Sequence, residues 1–252
     1  MPHSQAIQSD SSSKGPANHE KANDPLDPMA SFVPPPVVLQ RTANRLGDRT
    51  AYFIRGAESW EGTSWRDYAH QVREAARALI SLGVEPGDAV AILSFNRPEW
   101  AITAFAAMSI GAKPAGIYWT SAVDDVAYVL NHSQAKVLMV ENAERLDGMH
   151  ACMDHVPHLR HVVMFKPDGR KSTSALPPLA WADFLVKSKE VSDDVLDARL
   201  AALGPDDIGA LIYTSGTTGP SKAVALSQGN LWWMASTIVK ICEADENERM
   251  IS

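Results

Sequence analysis

Leu211-Ile-Tyr-Thr-Ser-Gly-Thr-Thr-Gly-Pro-Ser-Lys222 sets two glycines, a run of hydroxyls and one lysine directly behind an apolar stretch. Gly216 and Gly219 allow backbone conformations closed to other residues and let a ligand approach the main chain closely. Successive amides in such a bend form a concavity for an anion, and the hydroxyls of Thr214, Ser215, Thr217 and Thr218 can turn toward separate phosphate oxygens. Lys222 adds a mobile positive charge at the far lip. A Walker phosphate loop would need glycine where Ser221 stands, a hydroxyl where Ala223 stands, and a helix next. Here Ala223-Val-Ala-Leu226 reads as a strand, so the bend joins two strands and its donors are its own amides and hydroxyls. A solvated Gly/Ser/Thr turn is the plainer alternative. The unbroken run of donors favours a polyphosphate cradle.

Upstream of this bend the chain alternates strands and helices. Ala89-Val-Ala-Ile-Leu93 is uniformly apolar, the pattern of a parallel strand covered on both faces. A helix follows, with Asn96 as the expected cap, Pro98 and Glu99 in its first turn, and Gly111 as its stop. The cycle repeats with strand Ala115–Tyr118, a helix capped by Ser121 that runs to His132, strand Lys136–Val140, a helix from about Asn142, and strand His161–Phe165. Nearer the start, Val37–Leu46 reads as a helix and Thr50–Ile54 as a strand. Ser64-Trp-Arg-Asp67 reads as a capping box, opening a helix with Trp65, Tyr68, Val72, Ala75, Ala76 and Leu79 on its core face. Ile208–Tyr213 delivers the phosphate bend, and Ser227 caps a last helix, about Gln228–Glu243, whose Trp232, Trp233, Ile238 and Ile241 are expected to pack. Strands alternating with long helices predict an α/β fold: a largely parallel sheet with helices on both faces.

The chain has 252 residues, 45% of them hydrophobic, enough for a large core. Its net charge of -7 argues against a nucleic-acid surface. Cys152 and Cys242 stand far apart and form no ligand pair, which fits a reducing, cytoplasmic setting. The longest uncharged apolar stretch, Trp100–Ala112, is 13 residues, the length of a buried helix and too short for a bilayer. Residues 1–36, rich in Ser, Asn, Asp and Pro, read as a disordered polar extension, and 37–252 as the folded part. His150, His155, His158 and His161 cluster in sequence, yet Pro157 interrupts them and no regular face collects them as zinc ligands. Asp206-Asp207 sits at a strand entrance, where acids are usually solvated.

Tyr213-Thr-Ser-Gly-Thr-Thr-Gly219, with Lys222, Leu226-Ser227 and Asn230, resembles the signature loop of the adenylate-forming (AMP-binding) enzyme superfamily. Ser94-Phe-Asn-Arg-Pro-Glu-Trp100, Pro114-Ala-Gly-Ile-Tyr118, Val126-Ala-Tyr-Val-Leu130 and His132-Ser133 are similar to its long-chain fatty-acyl-CoA synthetase branch, and outside the bend these read mostly as packing positions. The sequence departs from that pattern at Ser221, Ala223 and Gln228, where proline, glycine and histidine are common. The resemblance implies an ATP-dependent fatty-acyl-CoA ligase that makes an acyl-adenylate and then a thioester. Its partners would be a fatty acid or related carboxylate, ATP and CoA, with magnesium on the phosphates. The cofactor-binding residues carried over are Thr214, Ser215, Gly216, Thr217, Thr218, Gly219 and Lys222. The resemblance places the catalytic lysine, the magnesium ligand and a mobile C-terminal lid downstream of Asn230. None is located in this chain, which reads as a partial adenylation domain. Two other readings stay open: a non-catalytic nucleotide-binding or interaction module, and an adenylate-forming ligase for another carboxylate.

Overall fold

In the computed structural model, residues 31–153, 155–169, 172, 174–216, 219–245 and 247–248 are described. The strands are β1 (Thr50–Arg55), β2 (Trp60–Ser64), β3 (Ala89–Leu93), β4 (Lys113–Ile117), β5 (Ala135–Asn142), β6 (His161–Lys166), β7 (Leu179–Ala180), β8 (Ile208–Gly216) and β9 (Gly219–Ser227). The helices are α1 (Pro35–Leu46), α2 (Trp65–Ser81), α3 (Pro98–Ser109), α4 (Val123–Ser133), α5 (Ala143–Asp147), α6 (His150–Met153), α7 (Trp181–Val186), α8 (Asp193–Ala201) and α9 (Gln228–Ile241). Strands β3 to β9 form one sheet in the order β7-β6-β5-β3-β4-β8-β9. Adjacent strands run parallel except β8 and β9, which form an antiparallel hairpin.

The apolar run of β3 explains why this sheet has two covered faces. Val90 and Ile92 enter one core with α1, α2, α3, α7 and α8, while Ala89, Ala91 and Leu93 enter a second core with α4, α5 and α6. Side chains alternate across a strand, so a five-residue run that is buried throughout requires a layer on each side. Chain order then sets the site. From β3 the chain passes through α3 to β4 on one side, and from β4 through α4 back to β5 on the other. Connections that diverge in this way open a crevice at the C-terminal ends of the strands.

Several local expectations change. β1 pairs with a second strand, β2, which the sequence reading omits because Trp60-Glu-Gly-Thr-Ser64 has no apolar alternation. The first helix begins at Pro35 rather than Val37, so folded chain starts inside the 1–36 stretch read as extension, and proline's fixed φ suits that first turn. Neither Asn96 nor Ser121 caps a helix: the cap positions are Arg97 and Ala122, neither with a side-chain bond to the first-turn amides. Ser64 does cap α2 through the Asp67 amide, but the Asp67 carboxylate accepts from the Ser64 hydroxyl instead of reaching the Ser64 amide. In α9 the Ser227 hydroxyl and the Asn230 side chain complete a reciprocal capping box. Beyond that cap, Trp233, Ile238 and Ile241 are exposed, against the expectation that they pack. Among the described residues no helix is long and apolar enough to cross a membrane.

Candidate functional site

The glycine-rich stretch is a hairpin, tighter than the sequence suggests. Residues expected in a loop lengthen the two strands: Tyr213 pairs with Ala223, Thr214 with Lys222, and Gly216 with Gly219. Between the last two pairs the register slips, so that Ser215 stands against Pro220 and Ser221. Proline offers no amide to a ladder, and a bulge is where a strand tolerates it. Bulges of this kind re-aim backbone groups.

Of the candidate site residues, Thr214 and Lys222 are placed with their side chains, both exposed and opposite one another across the hairpin. Ser215, Gly216 and Gly219 are placed by their backbone at the strand ends. Thr217 and Thr218 lie outside the described residues. β8 runs parallel to β4, with Gly116 beside Ile212, so the hairpin continues past the C-terminal ends of β3 and β4 and overhangs the crevice.

Two hollows flank the strands there. The larger, about 900 Å³, is walled by Trp100, Ala104, Phe105 and Met108 of α3, by Ala210 and Ile212 of β8, and by Leu231 of α9. Its mouth carries Phe95 and Trp119, whose rings lie 4.1 Å apart. The smaller, about 380 Å³, is more polar and is lined by Ser121, Asp125, Val129, Tyr213, Thr214 and Ser221. Gly116, Ile117, Tyr118 and Tyr213 border both. A side chain at Gly116 would put its Cβ 3.1 Å from the Trp100 ring, so glycine there leaves the indole its place in the apolar wall.

Side chains outside the bend hold this arrangement. The Tyr128 hydroxyl donates to the Ser221 carbonyl at 2.7 Å, and Tyr213 Oη lies 3.0 Å from His132 Nδ1. Burial pushes the Tyr213 phenol above its ordinary pKa, keeping it neutral. On the β3–α3 turn, Arg97 forms a fork to Glu99, at 2.7 and 2.9 Å, and reaches Glu141 at 2.9 Å. Burial pushes the Glu99 carboxyl up, but the Arg97 hydrogen bonds and charge outweigh it, so the net shift is downward. The sequence reading counts these motifs mostly as packing positions; the structure gives Arg97, Tyr128 and His132 polar bonds. In sequence Arg97 is visible only as one polar residue ahead of a helix, and Tyr128 and His132 only as polar residues within one.

Other candidates take structural places. Asp207 accepts the Gly204 amide through its carboxylate and the Gln228 amide through its carbonyl, both at 2.7 Å, so it shapes a turn. Gln228 is fully buried and donates to the Met108 carbonyl, which places that departure from the family pattern between α9 and α3. His161 opens β6, and among the described residues no group of three or more His, Cys, Asp or Glu could hold a metal ion. Asp125, the one carboxylate among the described residues lining the smaller hollow, does not by itself make a magnesium site.

A family model described as AMP-binding enzyme matches residues 39–252. The chain is 33% identical over 224 residues to the long-chain-fatty-acid–CoA ligase ACSBG2 of Xenopus laevis, covering 86% of this chain and 30% of that protein. It is 42% identical over 172 residues to the long-chain-fatty-acid–CoA ligase FadD15 of Mycobacterium bovis, covering 68% and 27%. A solved structure of a putative long-chain-fatty-acid CoA ligase from Rhodopseudomonas palustris superposes with a TM-score of 0.68 at 23% identity, covering 84% of this chain and 49% of that one. The chain thus spans about 30% of the length of the first of these relatives.

Proposed function

The chain belongs to the AMP-binding enzyme family, and from that premise we propose that it forms part of an ATP-dependent fatty-acyl-CoA ligase. A carboxylate oxygen attacks the α-phosphorus of ATP, the bond to pyrophosphate breaks, and an acyl-adenylate forms. The thiolate of CoA then attacks the acyl carbonyl carbon, and AMP leaves. In this reading the hairpin holds the β- and γ-phosphates. Amides at Ser215, Gly216 and Gly219, the hydroxyls of Thr214, Thr217 and Thr218, and the Lys222 ammonium meet the charge that grows on the departing pyrophosphate. Donors fixed before reaction act where they count most, on the transition state.

The observation that carries the reading is the shared wall at Gly116 and Tyr213. It sets an apolar hollow of about 900 Å³ directly beside the hairpin, so one crevice pairs an apolar chamber with the hairpin proposed to grip the polyphosphate. An apolar acid fits that pairing better than a polar one, and the similarity to the Xenopus laevis and Mycobacterium bovis ligases supports the same substrate class. The test is an acyl-chain panel on the full product of the coding sequence, read by CoA-dependent AMP release. Release with long acyl chains and none with acetate or amino acids is expected; release with amino acids alone would reverse the assignment.

A further inference from the structure

Tyr128 and His132 lie four residues apart on α4 and share one face of it. From that face they touch both arms of the hairpin: His132 meets Tyr213 on β8, and Tyr128 donates to the Ser221 carbonyl on β9, at the register slip. The three rings form one cluster. Tyr128 stacks on His132 with centroids 5.5 Å apart, and Tyr213 stands edge-on to both, at 6.4 and 5.7 Å. β9 is the last strand of the sheet order, so among the described residues no further strand braces the hairpin on its outer side. Its placement over the crevice is therefore set at the base by the ladder of β8 to β4 and by α9, and nearer the bend by this one turn of α4.

We propose that Tyr128 and His132 are positioning residues for the phosphate-gripping hairpin, acting through Ser221 and Tyr213 to fix where its donors meet ATP. The proposal deepens the ligase reading and rests on it. Misplacing preorganised groups by a fraction of an ångström weakens charge stabilisation in the transition state without unfolding anything. The Ser221 carbonyl is the sensitive point, because it lies beside the one place where the two arms fall out of step.

Tyr128→Phe removes only the hydroxyl and keeps the ring stack. In the full product of the coding sequence, fatty-acid-dependent exchange of pyrophosphate into ATP should fall about 3–10-fold through the ATP terms, the loss expected for one hydrogen bond of this kind. The KM for the fatty acid should stay as in wild type, and the melting temperature should fall by only about 2–4 °C, the cost of one part-buried hydrogen bond. Hydrogen–deuterium exchange supplies a readout that does not depend on turnover: MgATP should protect the amides of β8 and β9 flanking the bend in wild type, and less so in Tyr128→Phe. His132→Gln, which retains a polar partner for Tyr213, should keep more of that protection than His132→Ala. Equal ATP parameters and equal protection in wild type and Tyr128→Phe would overturn the positioning role. So would a uniform loss in both substrates' KM values together with a fall in melting temperature well beyond that of one hydrogen bond, which marks simple packing. Absence of any MgATP protection in wild type would instead overturn the nucleotide reading itself, and the proposal with it.

Discussion

Lys222 and Gly216 test the grip most directly. Lys222 is exposed, pairs across the hairpin with Thr214 and has no role in either core, so Lys222→Ala should leave the fold intact. Pyrophosphate exchange should nonetheless drop about 10²–10³-fold, the usual cost of one well-placed donor to a developing anion. Gly216→Val, which crowds the bend at its last pair, should act in the same direction; unchanged exchange in both variants would remove the role assigned to the hairpin. Glu99 makes a second prediction. Its folded pKa lies below the ordinary carboxylate value, so it contributes stability above that value and loses it as pH falls through the depressed one. Glu99→Gln should therefore melt lower than wild type at neutral pH, and the gap between the two should narrow as pH falls below the ordinary carboxylate value. Chemistry at this scale was only partly legible in the sequence. As candidates, Thr214 and Lys222 stand out by type and spacing, and the structure sets them opposite one another. Tyr128 meets Ser221 across 93 positions, a separation no local pattern can register.

At the scale of elements, the contact between β8 and α9 determines how the hairpin leaves the sheet. A Cβ on Gly209 would stand 2.7 Å from a Leu231 methyl and 3.3 Å from the Gln228 side chain, so the helix rests directly on strand backbone. Gly209→Val should cost about 1–3 kcal/mol by overpacking, measured as a lower denaturant midpoint at unchanged slope. A neutral result would mean that α9 shifts freely and does not brace β8. The alternation of apolar strands with amphipathic helices made the sheet and its two covered faces readable in advance, because a run such as Ala89–Leu93 is stable only between two layers. β2 escaped because Glu61, Thr63 and Ser64 are polar and its one large apolar residue, Trp60, is exposed, leaving no apolar period to detect. The exposed side of α9 escaped for the opposite reason. Its Trp233, Ile238 and Ile241 carry a core-like composition without a core against them, and composition cannot say which apolar residues find a neighbour.

For the whole molecule, the question is whether this chain on its own holds a nucleotide, and mass action gives a direct answer. A ligand that binds only the folded state at a hundredfold excess over its Kd adds about 2.7 kcal/mol of stability. For a domain of this size each kcal/mol moves the melting temperature by about 2–4 °C, so saturating MgATP should raise it by about 5–10 °C. The shift should shrink in Lys222→Ala, since the phosphates lose a charge, and it should be smaller with AMP, which lacks the β- and γ-phosphates that the hairpin is assigned to hold. The same experiment separates a ligase, whatever its carboxylate, from a non-catalytic nucleotide-binding module. A shift with ATP, accompanied by pyrophosphate exchange in the full product of the coding sequence, is the signature of a ligase. A shift with ATP but no exchange under any carboxylate is that of a nucleotide-binding module. Equal shifts with ATP and AMP would place the grip on the adenosine end and leave the hairpin without its assigned partner, because nothing in a bend of amides, hydroxyls and lysine distinguishes AMP from ATP except the phosphates that AMP lacks.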